Sequence, residues 1–413
     1  MILLSLLACT PQDDGLWDSP SESWGDSDTP PTWSADVAPI FSEACISCHQ
    51  DGGSGPFSLE TYESAVAWAD PIMLQTQART MPPWLPDTSG DCQTFRDTRS
   101  LSDAQIATIA EWVGAGAPQG DAMVLEPPPP ATLPEVDYEQ DIGGEYTPAT
   151  TADDDYRCFL FERGDDANGF LAGFHIEAQD SAQTHHATVV VVNDDASADI
   201  ARARDADDDG IGWSCNVPLD LGTAVGIWHS GMPPVSFPEG TGVPLPEGTP
   251  FIVWAHFYVA GGSVADNITL RLDLEDTVAQ EAVFPPLAVD TFTLEPGLAE
   301  TSITLTSTAS DMHIPDGATL LGIGPHMHAR GVGITVVANV GTAEERCLLR
   351  TATWNYHHQE MFFYDPAPVI LRDDEITLTC TFDTSGDTEP ITSGSEYTQE
   401  MCLAASYAVA AGS

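Results

Sequence analysis

Two groups of residues in this chain could do chemistry. Cys45-Ile46-Ser47-Cys48-His49 is a CxxCH. At that spacing two thioether bonds fix a c-type haem, and the histidine that follows sits beneath the iron. Further along come His185-His186, then His256, then His326-Met327-His328, then Met401. Imidazole with thioether is a soft donor set that tolerates Cu(I), and three imidazoles suit copper in either oxidation state. On a strand, residues i and i+2 face one side, so His326 and His328 can share a metal. An isolated HH or HxH is more often a strand histidine satisfied by hydrogen bonds. Here the order and the intervals carry the reading: 70 residues from His186 to His256, 70 from His256 to His326, and 73 from His328 to Met401.

The elements that must hold these residues change character along the chain. Residues 10–34 are Asp, Ser, Pro and Trp without periodicity, which reads as a disordered tether. "ADVAPIFSEACISCH", "SLETYESAVAWADPIMLQTQ" and "SDAQIATIAEWVGAGAP" have helical spacing, the last with Ser102 as N-cap. They define a small helical unit over 35–120. Residues 121–135 contain "LEPPPPATLPE", a stiff Pro-rich linker expected to separate that unit from the rest. Past it, "HHATVVVVN", "PFIVWAHFYV", "NITLRLDL", "TLLGIGP", "GITVVANV" and "EITLTCTF" alternate with Gly, Pro and Asp turns. Those are strands of all-β sandwiches, and the length calls for two, over 136–283 and 284–413.

Around the CxxCH, "TMPPWLP" and "LSDAQIATIAEWVGAGAP" resemble the distal loop and C-terminal helix of bacterial cytochrome c domains. That resemblance makes Met81, 32 residues after His49, the sixth iron ligand. Met73 is its competitor, although it sits in an apolar helical stretch where a core role fits better. The histidine series resembles the copper type II, ascorbate-dependent monooxygenases, the peptidylglycine and dopamine β-monooxygenase family, over roughly 136–413. The resemblance implies two jelly-roll domains with one copper each. His185, His186 and His256 would hold the electron-donating copper, and His326, His328 and Met401 the oxygen-binding, catalytic one. It also implies a disulfide between Cys380 and Cys402, 22 residues apart, and leaves Cys158 and Cys215 as the other couple. Cys92 and Cys347 could cross-link the helical unit to the second sandwich or stay free. His175, His229, His313, His357 and His358 have no ligand role in the family and read as surface or structural, with His357-His358 the pair that could support a ligand from behind.

The expected activity is therefore hydroxylation of a substrate C–H bond with O2, two electrons per turnover coming from ascorbate or another electron donor and relayed by the fused haem. The alternative is a non-catalytic haem and copper electron-transfer lipoprotein. Peptide-amidating members hold the peptide carboxylate with an Arg two residues before the HxH and an Asn and a Tyr two and four after the Met. This chain has Gly324, Leu403 and Ala405 there, so a less polar small molecule fits better than a glycine-extended peptide.

Composition excludes other classes. Asp and Glu total 64 against 12 basic residues, all Arg, for a net charge of −52. Such a charge repels nucleic acid and anionic lipid headgroups. Asp205, Asp207, Asp209 and Gly210 stand at calcium-loop spacing, but the twelfth position is Asn216 and no flanking helix is expected, so an acidic turn rather than a Ca2+ site is the reading. The start, residues 1–9, resembles a bacterial lipoprotein signal ending in Leu6-Leu7-Ala8-Cys9, with Cys9 as the lipidated residue, though its apolar run is short and lacks a basic lead. Export to the periplasm or cell surface, anchored to the outer membrane by lipid alone, is the expectation. It agrees with haem attachment outside the cytoplasm.

Overall fold

The computed structural model describes residues 29–411, apart from 52, 54, 84, 85, 97, 122–131, 152, 153, 165–168, 180–182, 260, 261, 352, 395 and 397. Cys9 and the Pro-rich run thus lie outside the described residues. The fold is mostly β, with few helices. No helix among the described residues is long and apolar enough to cross a membrane.

The helical unit opens on a π-helical turn, Trp33–Val37, that runs into Ala38–Ala44 and delivers the CxxCH at its C-terminal end. Trp33, two residues before the expected start of this unit, is already part of its core, buried against Phe41 and Trp112. The second apolar stretch forms two short helices, Tyr62–Ala67 and Ala69–Gln77, and the last forms Asp103–Gly114. Ser102 caps that helix through a reciprocal pair with Gln105, so two otherwise orphaned backbone donors are satisfied.

All six expected strand runs are strands. In the first sandwich, the sheet that carries histidines orders Trp213–Ser214, Asp154–Phe161, Phe251–Tyr258, Thr184–Val192 and Gly222–His229. Its inner face buries Phe161, Phe251 and Phe257 against Phe174 and Ile176 of the opposing sheet. Thr184–Val192 is buried on both faces, because a helix, Asp195–Asp207, covers its outer side with Ala198 and Ala201. That helix corrects the reading of the acidic run. Asp205 and Asp207 belong to its last turn, and Asp208 beyond it is held by the Arg157 guanidinium. The turn at Asp194, whose side chain accepts from the Ser197 N–H, starts the helix, and its Ala-rich face is too short in apolar residues to announce itself.

In the second sandwich, Thr301–Thr308, Glu375–Phe382, Gly331–Ala338 and Arg346–Arg350 form one sheet, with the alternating burial of a strand that faces core on one side only. The opposing sheet is shared. The strands Tyr138–Asp141, Ile268–Glu275, Gly169–Ala178 and Thr241–Leu245 of the first sandwich continue through Gln280–Val283 into Leu403–Val409, Ala318–His326 and Phe362–Phe363 of the second. Tyr407 and Val409 accordingly pack in the first core. One continuous sheet fixes the two halves against each other.

The helical unit is also tied down, where a separating linker was expected. The segment following Met81 lies along the second sandwich. Pro86 bridges to Thr351 and Phe95 to Tyr364. Arg99 is ion-paired with the buried Glu360, and Cys92 is disulfide-bonded to Cys347. Cys158–Cys215 and Cys380–Cys402 are the other two disulfides, the pairings the family resemblance implies.

Candidate metal centre

Register puts the first three histidines together. His186 opposes His256 across the Thr184–Val192 and Phe251–Tyr258 pair, and a register shift at that point turns His185 to the same side. The Nδ1 atoms converge: His185 to His186 at 2.9 Å, His185 to His256 at 3.2 Å, and His256 to His186 at 3.3 Å. Three nitrogens each about 2 Å from one ion stand roughly 3.3 Å apart, so the set is sized for a metal. The other ring nitrogens show which atom carries the proton. His256 Nε2 lies 2.7 Å from an Asp154 carboxylate oxygen, and His185 Nε2 lies 2.6 Å from His357 Nδ1. A carboxylate only accepts, so His256 Nε2 is protonated and its Nδ1 offers a lone pair. Burial, reinforced by the neighbouring His256, pushes the His185 pKa down to about 2, and burial with the same neighbour keeps His186 well below the imidazole range. Both shifts favour the neutral imidazole that a metal ligand must be.

The second set sits at the edge of the shared sheet. His326 ends its strand opposite Leu403, two residues after Met401. The His326 and His328 rings stand 5.3 Å apart and nearly perpendicular. His328 Nδ1 donates to the Gln399 carbonyl at 3.0 Å, which leaves Nε2 as its ligand atom. Glu400, fully buried, accepts the backbone N–H of His328 at 2.9 Å and of Arg330 at 2.7 Å, and so clamps the HxH turn against the Met401 segment. Burial lowers His326 to about 3.

One cavity of about 180 Å³ lies between the two sets, lined by His186 on one side and by His326, His328 and Met401 on the other. Tyr356 stands between them, its ring 6.4 Å from His186 and 6.2 Å from His328. Gly324, Leu403 and Ala405 line the same cavity, and Gly324 is the cross-strand partner of Ala405.

A larger cavity, about 410 Å³, lies behind His185. Cys45, Cys48, His49 and Met81 line it from the helical unit, and His185, His229, His357 and His358 line it from the sandwiches. Met73 is not among its lining residues; it sits half-buried in Ala69–Gln77. Cys45 and Cys48 are unpaired. Burial, with Cys48 beside it, pushes the Cys45 thiol up to about 12, which disfavours the thiolate a zinc pair would need.

Sequence reasoning found the histidines but missed Asp154, Tyr356 and Glu400. Asp154 had a signal in retrospect: on its strand it lies two residues before Tyr156, the cross-strand partner of His256. His229, read as surface or structural, is buried on the larger cavity, and His357 stands directly behind His185.

Residues 287–407 match the copper type II ascorbate-dependent monooxygenase C-terminal domain. The chain is a monooxygenase-type oxidoreductase. The matched stretch contains His326, His328 and Met401, while the first histidine set lies before it. The family implies copper as metal, ascorbate as reductant, O2 and a small-molecule substrate. No curated protein matches the chain. Among solved structures it is similar to the major capsid protein of bacteriophage PM2, at 9% identity over 66% of this chain and 98% of that one, with a TM-score of 0.27. It is also similar to the infectious bursal disease virus subviral particle protein, at 10% identity over 68% of this chain and 75% of that one, with a TM-score of 0.21. Both likenesses are too distant to inform the site.

Proposed function

We propose that the chain hydroxylates a C–H bond of a small, weakly polar molecule with O2, and that a haem held by Cys45, Cys48 and His49 feeds it electrons. The convergence of three Nδ1 atoms, with His186 of that set on one side of a cavity and His326, His328 and Met401 on the other, carries this reading. Copper held at the two sets supplies the one-electron chemistry that O2 activation requires. The chain's own part is positional. Asp154 and His357 orient the first set, and Gln399 and Glu400 orient the second.

The small and apolar Gly324, Leu403 and Ala405 favour a substrate without a carboxylate. Arg330, the nearest cation in sequence, is engaged by both oxygens of Asp387, each at 2.8 Å. The residues around the CxxCH fit a haem. His49 Nδ1 donates to the Phe57 carbonyl at 3.1 Å, which frees Nε2 for iron. A Cβ at Gly55 would stand 2.6 Å from His49 Nδ1, so only glycine admits the ring there. Phe57 and Trp68, stacked at 4.2 Å, wall the apolar side, and Met81 lines the same cavity, which supports its reading as the sixth ligand. Three disulfides favour an exported protein, anchored through Cys9.

The test is isotopic. With 18O2 and ascorbate, a screen of small aromatic amines, lipids and peptides yields a product carrying one labelled oxygen, and His326→Ala abolishes it. Electron uptake by haem and copper with no labelled product from any class points instead to a non-catalytic electron-transfer lipoprotein.

A further inference from the structure

The larger cavity is apolar where Phe57 and Trp68 line it, and polar where Arg99, His229 and His358 do. His229 ends the strand Gly222–His229 and is 1% exposed. Its Nδ1 donates to the Ser230 carbonyl at 3.0 Å, and its buried Nε2 has no hydrogen-bond partner among the described residues. The buried Nδ1 of His358 has none either. Arg99 gives one guanidinium nitrogen to the buried Glu360. A guanidinium has five N–H donors, so that pair leaves others for an acceptor. Arg99 is close enough to act on both rings. Burial and then its charge push His229 down to about 4, and burial, His229 and Arg99 push His358 down to about 3. Buried polar atoms without partners are costly, so two of them beside a cation call for an occupant that brings anionic oxygen.

We infer that Arg99, His229 and His358 are the seat of the haem propionates, so that the propionate edge of the haem lies against the sandwiches, on the side that also holds His185 and His357. The inference rests on the haem reading given above. A haem joined to Cys45 and Cys48 through its vinyl groups carries two propionates on the opposite edge of the porphyrin, and they are its only charged substituents. Arg99 supplies charge-assisted donors to a carboxylate. His358 donates from Nδ1 when that atom carries the ring proton. His229 keeps its Nδ1 proton for Ser230, so its Nε2 meets a carboxyl group only with a second proton between them, on Nε2 or on the carboxyl oxygen. That proton offsets part of the propionate charge, since Arg99 already answers Glu360. Glu360 also lines the smaller cavity, so one ion pair stands between the haem edge and the second histidine set.

The experiment uses the full, haem-bearing chain. In its crystal structure one propionate oxygen is expected within hydrogen-bond distance of an Arg99 nitrogen, and one within that distance of His229 Nε2 or His358 Nδ1. Propionates turned to solvent or to the helical unit overturn the assignment, as does iron bound by either imidazole in place of Met81. In solution, Arg99→Gln should shift the propionate bands of the resonance Raman spectrum. It should also lower the haem midpoint potential, because the lost cation favoured the less positive ferrous state, by about 59 mV for each tenfold change in that preference. Arg99→Lys should restore most of the potential, and His229→Phe with His358→Phe should shift the same Raman bands. Glu360→Gln removes the ion pair but leaves the seat, so it should not lower the potential. Bands unmoved in the Arg99 and histidine variants, or a Glu360→Gln potential that falls as in Arg99→Gln, would leave Arg99 a merely structural tie and overturn the assignment. If the variants do not fold, the map of the unaltered protein decides. A chain whose absorption spectrum shows no covalent haem fails the haem reading itself and this inference with it, whereas a haem with its propionates elsewhere fails this inference alone.

Discussion

At the scale of single residues, the site depends on groups that touch no reacting atom. Asp154 fixes which nitrogen of His256 faces His185 and His186. Asp154→Ala should weaken copper at the first set by about 10–100-fold, with Asp154→Asn intermediate, because an amide oxygen still accepts but carries no charge. Competition titration with a Cu(I) chelator measures this, and unchanged affinity in both variants would remove Asp154 from the site. Glu400 does the corresponding work for the second set by accepting two backbone N–H groups from the HxH turn. Glu400→Ala leaves both donors unmet, at about 1–3 kcal/mol, and should release copper from His326 and His328 while the first set keeps its own. Per-site occupancy from anomalous scattering checks it. The candidate ligands could be named from the sequence because so few residue types bind copper and their order is informative. Asp154 and Glu400 were not, since acidic residues number 64 and only register marks these two out.

At the scale of elements, strands were legible and contacts between distant elements were not. Period-two burial in Glu375–Phe382 follows directly from its alternating side chains. The helix Asp195–Asp207 was hidden because its only buried residues are alanines, which leave too weak an apolar stripe to read. The segment after Met81 had no periodicity at all, yet it staples the helical unit to the second sandwich through Cys92–Cys347, a closure of 255 residues. Such a cross-link restricts the unfolded chain, and losing a native one typically costs about 2–5 kcal/mol. The Cys92→Ser, Cys347→Ser variant should therefore unfold at lower denaturant, and limited proteolysis should cut first near residues 86–99. Unchanged cleavage there would mean that the Arg99–Glu360 pair and the two strand bridges suffice to hold the segment.

At the scale of the whole molecule, the first histidine set stands between the two cavities, His185 lining the larger and His186 the smaller. His185 offers Nδ1 to the ligand set and Nε2 to His357, and both histidines line the cavity that the CxxCH closes. An electron leaving a haem held at Cys45 and Cys48 would reach the first set through a 2.6 Å hydrogen-bonded contact, without crossing the smaller cavity. The shared sheet joins the two sandwiches and the Cys92–Cys347 disulfide ties the helical unit to the second, so the proposed delivery would need no domain swing. In stopped flow, pre-reduced haem should reoxidise on mixing with O2 when both copper sets are filled. His357→Phe should slow that step by about 10–100-fold, the usual effect of removing a ligand's outer partner, while leaving the haem spectrum intact. Cys45→Ser with Cys48→Ser should make turnover depend wholly on added ascorbate. Haem reoxidation at the same rate in copper-free protein would sever the route proposed here, because the electrons would then be leaving the haem directly to solvent oxygen.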